Sequence, residues 1–288
     1  HALIIEGTRA ELPPPAPARP RPPRILGVSS EYPRSIPGGA GSHSSASEET
    51  VAENVRQELK AARGLVVADF GPRNVERLIT FLDAARESKR RLVILTKDAF
   101  LLDAMHLADP AMPCPMETPD LLLYQDLKDS PRPWEKDVLD RHASRMIDGA
   151  EVHRNPGDYV LSFSFWDIKN LIDIQPRGGT YIYSSSEAYN EEQELDARRL
   201  HNWLDHFQMR HVGLPEEDAA GRWTPPASQQ GFHASGHASW PDIVAMIKEI
   251  GPKMVVPVHT ERPDQFQEAL RGTDIDVRIP ELGKVLPL

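Results

Sequence analysis

The stretch that decides the fold runs from Gly231 to His259. It begins GFHASGHASWPD (231–242), continues through an amphipathic segment and ends PKMVVPVHTE (252–261). The short apolar run Met254–Val258 is typical of a buried strand. His259 is therefore expected just past the carboxyl end of that strand, where a side chain can face a binding or catalytic site.

A second histidine, His237, precedes the helix predicted after this turn. Pro241 is suited to the first turn of that helix. Backbone N–H groups at the helix start, together with the hydroxyls of Ser235 and Ser239, would form an anion cradle. From these residues alone, His237 fits either a structural turn or a catalytic group, and His259 fits either a hydrogen-bonded strand end or a metal ligand.

Composition limits the class of protein. The chain has 288 residues, 40% of them apolar, which is enough for a sizeable core. Its net charge of −10 argues against a generic polyanion-binding surface but leaves room for a local nucleic-acid site. The single Cys114 excludes a disulfide framework and indicates a reducing compartment. No apolar run reaches membrane-spanning length, and we expect no membrane association.

The order of predicted elements indicates an α/β fold. Residues 1–12 contain one strand and its exit, and residues 13–47 are Pro-rich and then Gly/Ser-rich, as in a linker. Helical and strand patterns alternate through residues 48–215, which predicts a mainly parallel sheet covered by helices. The predicted helices are Glu48–Ala62, Arg73–Glu87, Ala99–Leu107 and Glu191–Phe207, and the strands are Leu65–Asp69, Leu92–Thr96, Tyr159–Phe163 and Thr180–Tyr183.

The last 60 residues predict a turn, helix Asp242–Ile250, strand Met254–Val258, helix Pro263–Arg271 and two short strands. Neither this segment nor residues 1–12 can bury its apolar face alone. We therefore expect both to belong to one domain, with residues 3–6 forming a strand beside the one that ends at Val258.

These motifs resemble those of the β-CASP family of metallo-β-lactamase nucleases, which includes the ribonuclease J type. SGHAS (235–239) and PVHTE (257–261) resemble the last two motifs of the family, and LIIEGTRA (3–10) resembles its acidic motif at Glu6. The resemblance implies four segments: a metallo-β-lactamase remnant strand (1–12), a linker (13–47), a β-CASP domain (48–215) and the C-terminal part of a metallo-β-lactamase αββα domain (216–288).

The chain departs from the family pattern in two ways. The upstream His-x-His-x-Asp-His motif that supplies most metal ligands does not occur, so we expect this chain to be the C-terminal part of a longer protein. Asp69 also stands where the family commonly has a small or hydroxyl residue.

The resemblance implies a role for each candidate residue. His259 would be a ligand in a two-zinc centre, and His237 would be the general acid that protonates the leaving oxygen, oriented by Glu6. His233, Ser235 and Ser239 would contact the RNA phosphate and terminal nucleotide, and Ser184 would contact a phosphate from the Ser-rich end of a strand. Ser184 also fits a structural polar loop.

The function implied is zinc-dependent phosphodiester hydrolysis of single-stranded RNA by a cytoplasmic enzyme of the ribonuclease J type, with this chain an incomplete and inactive portion. A homodimer is also expected of such an enzyme. Two other functions stay open: a non-catalytic β-CASP-like RNA-binding or scaffold protein, and a metallo-β-lactamase-fold hydrolase of a small molecule.

Overall fold

The structure is a computed structural model. It describes residues 2–6, 46–128, 130–185, 191–218, 221, 223–234, 238 and 240–287, and for Glu6 and Glu191 it describes only the backbone. The chain divides into two units, which we call the central unit (residues 46–234) and the terminal unit (residues 1–45 and 235–288). The predicted linker lies outside the described residues except for its last two positions. The predicted domain boundaries stay predictions.

The regular elements are numbered in chain order. The strands are β1 (Ala2–Glu6), β2 (Val66–Asp69), β3 (Arg91–Ile94), β4 (Leu121–Tyr124), β5 (Met146–Ile147), β6 (Tyr159–Ser162), β7 (Gly179–Tyr183), β8 (Met209–Val212), β9 (Glu216–Glu217), β10 (Trp223–Thr224), β11 (Met254–Val258) and β12 (Asp276–Val277). The α-helices are α1 (Glu48–Ala61), α2 (Val75–Glu87), α3 (Thr96–Ala108), α4 (Pro133–Arg141), α5 (Gly149–Arg154), α6 (Leu171–Ile174), α7 (Glu191–His206), α8 (Trp240–Ile250) and α9 (Pro263–Ala269). Short 3-10 helices span Ala143–Arg145, Pro156–Asp158, Phe165–Asn170 and Ala227–Gln229.

The central unit is built on a seven-stranded sheet in the order β5-β4-β3-β6-β2-β7-β8. Every neighbouring pair in this sheet is parallel. Strands β2, β4 and β6 are buried along their whole length, which explains their nearly continuous apolar sequences. The prediction of an α/β fold with a parallel sheet covered by helices is confirmed.

Alternate residues of the sheet supply two separate apolar cores. Val66 and Ala68 of β2 belong to the core that packs against α1, α2, α3 and α4. Leu65 and Val67 belong to the core on the other face, which packs against α5, α6 and α7. Because side chains of a strand point alternately to opposite faces, one apolar run serves both layers.

The strand order creates a switch point inside the sheet. After β2 the chain moves outward to β3, β4 and β5, then returns with β6 between β3 and β2, and finally places β7 and β8 on the other side of β2. The connection after β2 leads to α2 on one face, whereas the connections after β6 and β7 lead to helices on the opposite face. The connections after β2 and β6 thus diverge, leaving a crevice at the carboxyl edge of the sheet.

Helix starts in the central unit follow ordinary capping chemistry. The Ser47 hydroxyl accepts a hydrogen bond from the Thr50 N–H at 3.2 Å and begins α1. The Asn74 side chain accepts from the Arg77 N–H at 3.0 Å, and α2 therefore begins at Val75 rather than at the predicted position 73.

The terminal unit contains a three-stranded parallel sheet in the order β1-β11-β12. The predicted strand at residues 3–6 does lie beside Met254–Val258. Ile5 packs in a small core with Ile247 of α8, Val255 of β11 and Phe266 of α9. Of the two short strands predicted after α9, the described residues form one, β12.

Candidate functional site

His259 follows β11 directly and is exposed. Its backbone φ is 49°, in the left-handed region. Few residues other than glycine adopt such an angle, and histidine is among the types that do so more often. The left-handed turn ends the strand and leaves the imidazole at the carboxyl edge of the sheet rather than in the core. His259 is therefore an exposed side chain at the carboxyl edge of this sheet, and its predicted role as a metal ligand stays a prediction.

Glu6 ends β1 at the same edge of this sheet. The two strands pair in parallel register, with Glu6 opposite Val258. Because neighbouring parallel strands lie about 4.8 Å apart, the backbone of Glu6 is close to the strand end that carries His259. The Glu6 side chain itself lies outside the described residues.

The turn that contains the other predicted site residues is only partly described. Ser235, His237 and Ser239 lie outside the described residues. Helix α8 begins at Trp240, with Pro241 in its first turn as predicted. The proposed contact between His237 and Glu6 therefore stays a prediction.

Arg77 of α2 is a buried cation that the sequence reading did not single out. Its side chain is fully buried, and its guanidinium donates two hydrogen bonds to the Glu48 carboxylate at 2.9 and 2.8 Å. It also donates to the Phe232 carbonyl at 3.0 Å and to the Ser184 hydroxyl. Arg77 thus connects the starts of α1 and α2 to the end of β7 and to the segment that contains Phe232.

His233 lies beside this guanidinium. Burial lowers the pKa of His233 below its ordinary value, and the positive charge of Arg77 lowers that pKa further, while a hydrogen bond to the Ser184 backbone and the charge of Glu48 oppose the shift. The imidazole is therefore neutral at neutral pH and already uses a ring nitrogen within the protein. A neutral imidazole has one N–H, so a direct bond to a phosphate would require a second proton. The predicted RNA contact of His233 stays a prediction.

Ser184 is 2% exposed, and its hydroxyl donates to the Phe232 carbonyl. The same hydroxyl accepts from Arg77. This arrangement fits the structural role weighed for Ser184 beside the functional one. A phosphate accepts hydrogen bonds, so a phosphate contact would require the hydroxyl to give up the bond that it donates to Phe232. The predicted substrate contact of Ser184 stays a prediction.

Metal-binding side chains are scattered among the described residues. Within them, no three His, Cys, Asp or Glu side chains are grouped closely enough to hold a metal ion. A catalytic zinc ion needs at least three protein ligands. The described residues therefore do not fit a complete zinc site, and His259 is the one predicted ligand among them.

Two comparisons with known proteins bear on this site. Residues 229–280 match the family described as the Zn-dependent metallo-hydrolase RNA specificity domain. The chain is also similar to ribonuclease J of Mycoplasma genitalium, with 22% identity over 218 residues, covering 75% of this chain and 33% of that protein. The resemblance to the β-CASP, ribonuclease J-like nucleases is confirmed. The match to the RNA specificity domain includes both His233 and His259.

The ribonuclease J similarity has a limited extent. This chain spans about one third of the length of the relative. The match to the RNA specificity domain covers α8, β11 and α9 but not the seven-stranded sheet. Among the described residues, no helix combines the length and apolarity needed to cross a bilayer.

Proposed function

We propose that this chain is part of a zinc-dependent phosphodiester hydrolase that acts on single-stranded RNA, of the ribonuclease J type. One observation carries the proposal: β1 and β11 pair in parallel, and their carboxyl ends hold Glu6 and His259 within the unit that contains most of the RNA specificity match. The similarity to the Zn-dependent metallo-hydrolase RNA specificity domain supports a zinc cofactor and an RNA substrate, and the similarity to a ribonuclease J supports RNA as the substrate.

In this proposal the two histidines have different tasks. His259 binds one of two zinc ions, and the remaining ligands come from outside the described residues. His237 acts as the general acid that protonates the leaving oxygen, a task suited to a group whose pKa lies near neutrality. Glu6 orients His237 and favours its protonated form. The side chains of His233, Ser235 and Ser239 contact the RNA.

The test measures RNA cleavage and bound zinc in the native full-length protein. His237→Ala should reduce turnover by about 10²–10⁴-fold and leave zinc content intact, because a general acid acts in the transition state. His259→Ala should reduce zinc content as well as turnover. His153→Ala is a matched control, since that histidine bonds the Ile174 carbonyl at 2.8 Å in the central unit and has no proposed role.

The two variants distinguish an exchange of the two histidine roles from a failure of the nuclease proposal. If His237→Ala lost zinc and His259→Ala kept it, His237 would be the zinc ligand and His259 the general acid. Unchanged cleavage in both variants would refute the nuclease and favour a scaffold that only binds RNA.

We further propose a cytoplasmic location, supported by the absence of a disulfide framework around the single Cys114. The homodimer stays a prediction, and sedimentation equilibrium of the native protein would test it.

A further inference from the structure

A cavity of about 320 Å³ opens at the carboxyl edge of the seven-stranded sheet. Its lining comes from the end of β2 and the segment after it (Asp69–Pro72), from the segment after β6 (Ser164–Trp166), from the end of β7 and from α7, together with Lys97 and Leu214. This is the crevice between β2 and β6 where the connections leave to opposite faces, the usual position of a ligand in a doubly wound sheet. Its volume is at the lower end of the range for small-ligand sites.

Asp69 is a buried residue of the cavity lining. Asp69 is 4% exposed, and the Tyr181 hydroxyl donates to its Oδ2 at 2.6 Å. The Phe165 N–H also bonds this carboxylate. A carboxylate has about four acceptor positions, so acceptor capacity remains for donors of a ligand. No lysine or arginine of the described residues forms an ion pair with Asp69.

The wall of the cavity is aromatic. The rings of Phe165 and Trp166 meet edge to face with centroids 5.2 Å apart. Trp166 is 72% exposed although it lies in the short 3-10 helix that follows β6. Trp166 and Asp69 line the same cavity, so an exposed indole and a buried carboxylate are both available to one ligand. A stacking surface combined with a hydrogen-bonding group is typical of sites that recognise an unpaired base.

The other charges of the lining are already neutralised. Lys97 forms an ion pair with Asp167 at 2.8 Å, and Asp196 forms one with Arg199 at 3.2 Å. The described lining therefore offers little attraction for a phosphate and favours a neutral ligand that presents hydrogen-bond donors. A base whose phosphate stays outside the cavity meets both conditions.

We propose that this cavity binds an unpaired guanine base, with the Watson–Crick edge of guanine on Asp69 and its ring against Trp166. Guanine carries two adjacent donors, N1–H and the exocyclic amine, which match the two oxygens of a carboxylate. Uracil has a single ring N–H, and adenine and cytosine have one exocyclic amine beside an acceptor nitrogen that Asp69 would repel. That the guanine belongs to RNA rests on the proposed function, whereas binding of the base itself does not.

The first experiment measures nucleoside binding to the 288-residue chain by saturation-transfer NMR at pH 8. Guanosine, inosine and adenosine serve as probes, because inosine differs from guanosine only in lacking the exocyclic amine. Guanosine should bind, inosine should bind roughly tenfold more weakly through loss of one charge-assisted hydrogen bond, and adenosine should bind more weakly still. Equal binding of the three nucleosides would refute recognition by the carboxylate.

Two pairs of variants complete the test. Trp166→Leu should weaken guanosine binding by about tenfold or more, since stacking on an aromatic side chain contributes strongly to base binding. Phe100→Leu is its control, because Phe100 is also exposed, at 51%, and does not line the cavity. Asp69→Asn should abolish the preference for guanosine over inosine, while Asp98→Asn, which changes another buried carboxylate outside the lining, should keep it.

Thermal unfolding of each variant checks that it is folded. Retained guanosine preference in a folded Asp69→Asn protein would overturn the proposal. RNA cleavage by the native full-length protein is measured separately, so a failure of the nuclease proposal would not be mistaken for a failure of this cavity.

Discussion

At the scale of single residues, the pKa of the buried Asp69 carboxyl is shifted close to neutral pH. Burial raises its pKa from the ordinary 3.8 to about 7, and the negative charge of Asp167 adds to the shift, while the Tyr181 hydrogen bond, the Phe165 N–H and the charge of Lys97 oppose it. The unfolded chain releases this proton near pH 4, but the folded protein keeps it until about pH 7. The folded state therefore loses stability from Asp69 as the pH rises through this interval.

Asp69→Asn should remove this pH-dependent loss of stability. At pH 8 both states of the wild-type protein are ionised and the folded state buries a charge, so the neutral amide should stabilise the fold by on the order of 2–4 kcal/mol. Near pH 3.5 the wild-type carboxyl is mostly protonated in both states, and the gain should largely vanish. Urea unfolding at the two pH values measures the difference, and an equal effect at both would contradict the assigned pKa.

The same titration predicts how the proposed guanine site depends on pH. Binding requires the carboxylate form of Asp69, so guanosine affinity should rise roughly tenfold between pH 6 and pH 8 for a group of pKa about 7. The groups that face this carboxylate are Tyr181, the Phe165 N–H, Asp167 and Lys97. Calorimetry in buffers of different ionisation enthalpy would detect the proton released at pH 6, and pH-independent affinity would contradict the prediction.

Arg77 supports a third prediction at this scale. Arg77→Met removes one of the two donors to the buried carbonyl of Phe232, the other being the Ser184 hydroxyl. It also removes the donor to the Ser184 hydroxyl and the partner of Glu48. Because Glu48 is half exposed and can be solvated by water, the expected loss comes from the buried polar groups and is about 1–3 kcal/mol in the free energy of unfolding. Arg86→Met is the control: Arg86 is 41% exposed and pairs with Asp83 and Asp120, so its loss should cost less than about 1 kcal/mol. Similar losses in both variants would show that the Arg77 network is not special.

At the scale of elements, β1 tests how the terminal unit is held together. Ile5 is 8% exposed and packs on Val255 and Phe266, whereas its neighbour Ile4 is 58% exposed. Ile5→Ala should therefore cost about 2–5 kcal/mol, and Ile4→Ala should change the free energy by less than about 0.5 kcal/mol. Amide hydrogen exchange of β11 reports the stability of this sheet directly, and equal protection in both variants would contradict the pairing of β1 with β11.

Most long elements were predictable because their periodicity is strong. Helices α1, α2 and α7 were predicted within two residues at each end, as was strand β11. Strand β4 was missed because LLLY (121–124) is a short apolar run without alternation, which could equally be part of a buried helix. Arg77 could have been noticed, since it lies one turn before Phe81 on the apolar face of α2.

The cavity, in contrast, could not be predicted from the sequence. It brings together Asp69, Trp166 and Asp196, which are far apart in the chain. Their proximity depends on the insertion of β6 between β3 and β2, and strand order is not encoded in local periodicity. The sequence did mark Asp69 as a departure from the family pattern, but it gave no reason for the departure.

At the scale of the whole molecule, the two units carry different proposed sites. The terminal unit carries His259 and most of the RNA specificity match, and the central unit carries the crevice proposed for a base. With a net charge of −10, the chain cannot rely on bulk attraction to hold RNA. Recognition of RNA should therefore depend on specific contacts. Raising the salt concentration should weaken guanosine binding only slightly, because a neutral nucleoside releases no counterions.

Zinc binding by the 288-residue chain is the remaining prediction at this scale. The described residues contain no group of three metal-binding side chains, and His259 is the one predicted ligand among them. A site with fewer than three protein ligands holds zinc weakly, because water completes the coordination and exchanges freely. Elemental analysis after dialysis against metal-free buffer should therefore find well under one zinc per chain, and His259→Ala should leave that content unchanged. Stoichiometric zinc that survives dialysis would show that this chain assembles a complete ligand set, and loss of that zinc in His259→Ala would then place His259 within it.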